Sequence, residues 1–301
     1  MKKYLSYFYV VMGAACWGFT GIFNRMLGAA GADMGTRMVL RNTGALLLMT
    51  VVFLLFHRQV FTINPRHFWI FLGSGVLSVL GMSWTYFSCQ MICSLAVAGI
   101  LLYLAPSFVV LASALLWKEK LTLRRGVSVV IALTGCGLVS GMVGGDLTVS
   151  AKGILLGICS GLCYAGYTVF AHYGLQHYDS YTVIYGTFVA AGLASLVWFR
   201  PADLGLVLSQ KEGVIGALGL VVISTVLPYL LYTKGLEQVE SGLASVLANV
   251  EPIVGALVGV VVFHETLTAW SIAGILLVLV AAAILAKGET YGKTETVEMP
   301  Q

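Results

Sequence analysis

The chain has 301 residues, 59% of them hydrophobic and 10% charged, with a mean hydropathy of +0.93. That is too little polar side chain to coat a soluble globule, so the composition excludes a water-soluble enzyme or binding domain. The net charge of +4 is modest, and the basic residues sit at the ends of apolar runs rather than in one patch, so no nucleic-acid partner is expected.

Ten apolar runs follow in order, at 4–23, 35–56, 68–89, 95–117, 127–142, 153–175, 181–199, 214–233, 242–263 and 269–286. Runs such as 242–263 reach the roughly 17–25 residues a helix needs to cross a bilayer. Lys2 and Lys3 ahead of the first run resemble a signal peptide. The run continues to Phe23 with no small-residue cleavage site after it, which predicts a retained first helix. The loops 57–67 and 200–213 are short, and 288–301 is expected to be a disordered cytoplasmic tail.

Cys89/Cys93 and Cys159/Cys163 are four apart and could in principle pinch a soft metal. No His or carboxylate accompanies either pair, so they are expected to be packing residues, with no metal and no cofactor. Gly153/Gly157/Gly161 and Gly255/Gly259 put small residues on one helix face, which favours close helix packing over ligand contact. Gly135-Cys136-Gly137 lies inside an apolar run with no strand before it, so it is no nucleotide loop.

The hairpin 94–140 recurs at 241–287. A shift of 146 positions places Ala98 on Ala244, Leu101 on Leu247, Tyr103 on Asn249, Pro106 on Pro252, Glu119 on Glu265 and Thr122 on Thr268. It also brings Tyr86 onto Tyr232, and a shift of 147 brings Cys16-Trp17-Gly18 onto Cys163-Tyr164-Ala165. Pro, Glu and Thr aligned in order point to an internal duplication. Five crossings per copy is odd, so the second copy must enter the membrane inverted, as in secondary transporters.

Charge supports that count. With the N-terminus inside, eleven Lys and Arg fall on the cytoplasmic side and four outside, while Arg37 and Arg41 lie within the second run. Both termini are therefore expected in the cytoplasm. The hinge 118–125 is basic, whereas its counterpart 264–268 has no Lys or Arg.

Several motifs carry a family resemblance: Cys16-Trp17-Gly18, Arg41 in the second helix, and Pro-(x12)-Glu-x-Leu-Thr closing the fourth and ninth, with Glu251 just before Pro252 in the second copy. Together they resemble the EamA-type transporters of the drug/metabolite transporter superfamily over nearly the whole chain. The first copy departs in having Ala105 where the second has Glu251, so the halves contribute unequally to any site. The resemblance implies an all-α membrane protein of ten transmembrane helices, built as two inverted five-helix EamA repeats at 4–142 and 150–287 around a central cavity. It also implies transport of small metabolites, often export of amino acids or related compounds.

Trp17 lies 13 residues beyond Tyr4, roughly 20 Å along a helix and well inside the bilayer. Tyr164 holds the matching place in the sixth run, with Tyr167 one turn on and Tyr103 in the fourth. Buried hydroxyls want partners, so these residues are expected to face a cavity with Asn249. Trp69, Trp117, Trp198 and Trp270 near run ends are expected in the interfacial belt. Arg37 can snorkel to water; Arg41, one turn deeper, either positions an anionic group or is a structural counter-charge. Glu251 is the candidate functional carboxylate, nine residues past Gly242 and close to mid-depth. Pro252 beside it deprives the Ala248 carbonyl of its usual helical partner. The candidate substrate-binding residues are thus Trp17, Arg41, Tyr103, Tyr164, Tyr167, Asn249 and Glu251, with Glu251 also coupling protons.

No HExxH, GxSxG, phosphate loop or pair of intramembrane aspartates is present, so an enzyme or a primary pump is not expected. The reading is a secondary transporter in the plasma membrane, exporting an amino acid or amphipathic amine by alternating access with proton coupling. A sugar-phosphate or nucleotide-sugar exchanger of the same superfamily is the alternative. The partners are then a small solute and the lipid bilayer, and oligomeric state is left open.

Overall fold

In hydrocarbon a backbone N–H or C=O finds no water, so a twenty-residue apolar run satisfies its own polar groups by forming a helix. The structure, a computed structural model, describes residues 2–93, 95–118, 122–139, 143, 150–264 and 268–292. Its ten rods are α1 (Tyr4–Ala29), α2 (Met34–Phe56), α3 (Pro65–Gln90), α4 (Val97–Trp117) and α5 (Leu123–Val139), then α6 (Ala151–Leu175), α7 (Ser180–Trp198), α8 (Lys211–Leu236), α9 (Ser241–Phe263) and α10 (Ala269–Gly292). Eight of them are long and apolar enough to cross a membrane, and Ala269–Ile284 of α10 is a shorter apolar stretch. Among the described residues there is no strand, so the protein is the all-α membrane protein expected. Helices extend past the apolar runs at several ends: α5 begins at Leu123, ahead of Arg124 and Arg125, and a short helix, Pro201–Leu208, fills part of an expected loop. Glu119, Glu265 and the 144–149 loop lie outside the described residues.

The duplication is written into the backbone. Asp33 and Asp179 cap α2 and α7 by accepting from the N–H groups of Thr36 (2.7 Å) and Thr182 (2.8 Å), 146 positions apart. α4 and α9 each break mid-span, at Tyr103-Leu104 and Ala248-Asn249. They end on the left-handed residues Lys118 and His264, both at φ 55°. α3 and α8 widen into π-helical turns at Leu72–Leu80 and Val222–Val226. Packing obeys the same exchange. α1 lies on α8 as α3 lies on α6, while α2 with α7, α4 with α9 and α5 with α10 are pairs that the exchange maps onto themselves. Five rods per copy set the second copy antiparallel to the first.

Glycines let several of these pairs approach. A Cβ on Gly161 of α6 would sit 2.8 Å from the Leu101 carbonyl oxygen, which explains the α6 stripe as packing. Between α5 and α10, a Cβ on Gly135 would come 2.7 Å from the Gly274 carbonyl oxygen, and one on Gly274 2.6 Å from that of Gly135. Gly135→Leu is expected to push these helices apart and lower the detergent melting temperature by about 5 °C, as overpacking does. Gly126→Leu, with nothing within 4 Å of its Cβ, is the control and should leave the melting temperature in place.

The cysteines are packing residues: the Cys89 thiol donates to the Gly153 carbonyl (3.2 Å), and Cys163 rests on Gly81. Among the described residues no three His, Cys, Asp or Glu side chains cluster as a metal site would require. Trp69 and Trp270 are half exposed, as belt residues should be. Trp117, the last residue of α4 and partly exposed, packs its ring 3.9 Å from that of His172 with its indole N–H buried.

Candidate functional site

The site begins with a proline. Pro252 has no N–H to give the Ala248 carbonyl, and Glu251 supplies its own instead (3.0 Å), tightening the turn at Ala248-Asn249. That turn sits midway along α9 and puts the Glu251 side chain at mid-depth. The Tyr164 hydroxyl, reaching in from α6, donates to Glu251 Oε2 at 2.7 Å.

A cavity of about 680 Å³ runs down to this pair from the end of the bundle where α1 and α3 finish and α2 starts. Its floor is aromatic. Trp17 is only 6% exposed and stands edge-on to Tyr164 (6.1 Å between centroids) and Tyr229 (5.2 Å). One wall is α2, from which Arg37 and Arg41 face the cavity. Arg41 donates to Ser83 Oγ (3.2 Å) and more loosely to the Tyr229 hydroxyl (3.5 Å), and its Nε–H is buried without a partner. Arg37 donates through Nε to the Ala32 carbonyl (3.0 Å) and lays its guanidinium across Gly28, so it lines the cavity rather than snorkelling to a lipid interface. Arg41 and Glu251 share the cavity, but their hydrogen bonds go to different partners.

Five of the seven expected residues, Trp17, Arg41, Tyr103, Tyr164 and Glu251, therefore stand on one cavity. Tyr167 and Asn249 do not. The Tyr167 hydroxyl bonds Thr233 Oγ1 (2.5 Å) on the far side, and Asn249 lines a separate void of about 20 Å³ shared with Tyr103 and Tyr164. Sequence reasoning missed Asn24, Arg25, Arg37, Tyr86 and Gln90, all on the wall. A signal was there: Trp17, Gly21, Asn24 and Gly28 recur at helical spacing, as do Arg37 with Arg41 and Tyr86 with Gln90. The same cavity corrects the glycine reading in α9, since Gly255 and Gly259 line it.

The opposite end of the bundle is shut. Tyr167 meets Thr233, Thr168 Oγ1 meets the Tyr232 hydroxyl (2.9 Å), His172 meets Ser241 (3.1 Å), and Arg125 pairs with Glu240 at the rim. Under the repeat exchange Tyr167 and Thr233 correspond to Thr20 and Phe87, and Thr168 and Tyr232 to Gly21 and Tyr86. Those counterparts all line the open cavity. One contact survives at both ends. The Arg25 guanidinium lies 3.9 Å from the Phe263 ring centroid, where the exchange puts His172 beside Trp117. The two ends thus have matching parts in two different arrangements.

Comparison with known proteins agrees. The EamA-like transporter family matches twice, over residues 4–141 and 151–287. A protein of Archaeoglobus fulgidus described as an uncharacterized transporter is 28% identical over 216 residues, covering 71% of this chain and 74% of its own. One from Synechocystis, described in the same words, is 27% identical over 227 residues, covering 74% and 68%. A solved crystal structure only 19% identical superposes with a TM-score of 0.79 over 93% of this chain and 96% of its own, which shows the fold. With two family matches spanning nearly its whole length, the chain belongs to the EamA-like transporter family of the drug/metabolite transporter superfamily and is a multi-pass membrane transporter.

Proposed function

We propose that the protein is a secondary active exporter of an amino acid or related amphipathic amine, working by alternating access and coupled to protons through Glu251. The observation that carries this reading is the cavity itself. It is open at one end, ends at mid-depth on a carboxylate, an arginine and an aromatic floor, and is closed beyond by contacts whose repeat counterparts stand apart. The size suits a small solute, the ring faces attract an ammonium, and the arginine takes an acid group. The excess of Lys and Arg on the closed side supports a reading in which that side and both termini are cytoplasmic and the cavity faces outward across the plasma membrane. The repeats then act as two units at 4–142 and 150–287.

The test is counterflow of labelled amino acids in proteoliposomes. Trp17→Ala and Tyr103→Ala are each expected to weaken apparent affinity about tenfold or more, through loss of a stacking surface. Unchanged affinity in both variants, with normal insertion, would place the binding site elsewhere. A sugar-phosphate or nucleotide-sugar exchanger is the second reading. What favours it is that Arg25, Arg37 and Arg41 all face the cavity.

A further inference from the structure

Among the described residues, α2 brings two guanidinium groups, those of Arg37 and Arg41, to the cavity wall, and Glu251 is the one carboxylate that faces it. Arg37 and Arg41 are one helical turn apart on the same face of α2, about 6 Å in rise. Neither is neutralised by a carboxylate within ion-pair distance among the described residues: their donors go to a carbonyl and two hydroxyls. Asp33, at the foot of the same helix, turns its oxygens to the Thr36 N–H and towards Arg200, and acts on Arg37 only from beyond ion-pair distance. Arg41 Nε–H is buried and unbonded beside the cavity, where an unmet donor is costly. An arginine fork bonds a carboxylate in two parallel bonds, so the α2 wall presents two stacked acid-binding positions. Glu251 across the cavity accepts one bond from Tyr164 and has lone pairs left for an ammonium.

We infer that the transported solute is a net-negative zwitterion with two acid groups and one amine, an amino dicarboxylate, with its acids on Arg37 and Arg41 and its amine on Glu251. The carboxyl carbons of such a molecule, extended, lie about 4–5 Å apart, against a rise of about 6 Å between the two arginines, a difference their flexible side chains span. A neutral amino acid would fill Arg41 and Glu251 and leave Arg37 unmatched. A phosphate monoester would satisfy the arginines and bring no ammonium to Glu251. This inference rests on the transporter reading above and narrows its solute.

The experiment is counterflow with the full chain in proteoliposomes, in which L-glutamate, L-aspartate, L-glutamine, L-leucine, succinate and glucose 6-phosphate are each used in turn as the labelled solute and as unlabelled competitors. Glutamate and aspartate are expected to compete at least tenfold better than glutamine, leucine or succinate. Arg37→Gln is expected to bring the glutamate-to-glutamine preference close to one, Arg37→Lys to keep much of it, and Arg200→Gln, on an exposed residue off the cavity, to leave it unchanged. If Arg37→Gln fails to insert, the competition order of the unaltered chain decides the matter alone. Exchange of glutamine or leucine with glutamate silent overturns the acidic-solute inference and leaves the transporter reading standing. Preferred exchange of glucose 6-phosphate overturns it in favour of the phosphate class. Exchange of no solute in the panel by an inserted, folded chain counts against both.

Discussion

Proteoliposomes carrying Glu251→Gln are expected to lose accumulation driven by a pH gradient, by at least tenfold, while retaining measurable exchange of labelled for unlabelled solute at reduced affinity. Glu251 sits at the floor of the cavity, with Tyr164 as its hydrogen-bond donor and, among the described residues, no cationic side chain bonded to it. While the cavity is open, water and the solute's amine can offset its charge. Closing the cavity over a bare carboxylate costs several kcal/mol, so closure requires either a proton or an ammonium to go with it. In the proposed mechanism that requirement links one to the other: an empty carrier would return with the proton, and a loaded one with the amine. Gln keeps an acceptor for the amine and removes the need for the proton, which uncouples return from the gradient without closing the exchange route. Full gradient-driven accumulation by Glu251→Gln would remove this residue from the coupling step. Tyr164→Phe, which removes the hydroxyl bonded to Glu251, serves as a companion and should shift the pH dependence of exchange.

How much of this was visible in the sequence depends on what kind of signal each part leaves. Length and apolarity fix the rods because the bilayer allows few alternatives, and the duplicated Pro, Glu and Thr mark the two copies in the sequence alone. The caps at Asp33 and Asp179, the paired breaks in α4 and α9, and the left-handed Lys118 and His264 are the same chain geometry repeated. Glu251 and Trp17 stood out because a charge or an indole at mid-depth needs an explanation. Arg37 did not, because a basic residue near a helix end has an ordinary reading as an interface anchor. Only the tertiary arrangement shows that α1 leaves room beside it, with Gly28 lying under the guanidinium. Asn249 is expected on the cavity from its alignment with Tyr103, and Tyr167 from lying one turn beyond Tyr164, yet neither an equivalent position nor a shared helix face guarantees the same surroundings. The two ends of the bundle are arranged differently, so Thr20, Gly21, Tyr86 and Phe87 line the open cavity while their counterparts Tyr167, Thr168, Tyr232 and Thr233 bond one another at the closed end.

That asymmetry carries the last expectation. At the closed end, the second half of α4 packs on the first half of α9, and α6 packs on α8 and α9; the exchanged contacts at the open end are marginal or absent. If transport proceeds by swapping these arrangements, His172 and Ser241, now 3.1 Å apart through their polar atoms, must separate in every cycle. In a background without the six native cysteines, a cysteine pair made by His172→Cys and Ser241→Cys can be bridged by a short bifunctional thiol reagent. Bridging is expected to reduce transport at least tenfold, with recovery on reduction, while each single variant treated in the same way keeps transporting. Solute should speed the bridging reaction, because Ser241 is fully buried until this end opens. The Arg25–Phe263 and His172–Trp117 contacts, present at both ends, should persist through the cycle, since they hold each half of the hairpins to its neighbour whichever end is open. A chain shown by mass spectrometry to be bridged at 172 and 241 that still transports at full rate would mean that this end never opens, and the solute would then need a route other than the one through Glu251.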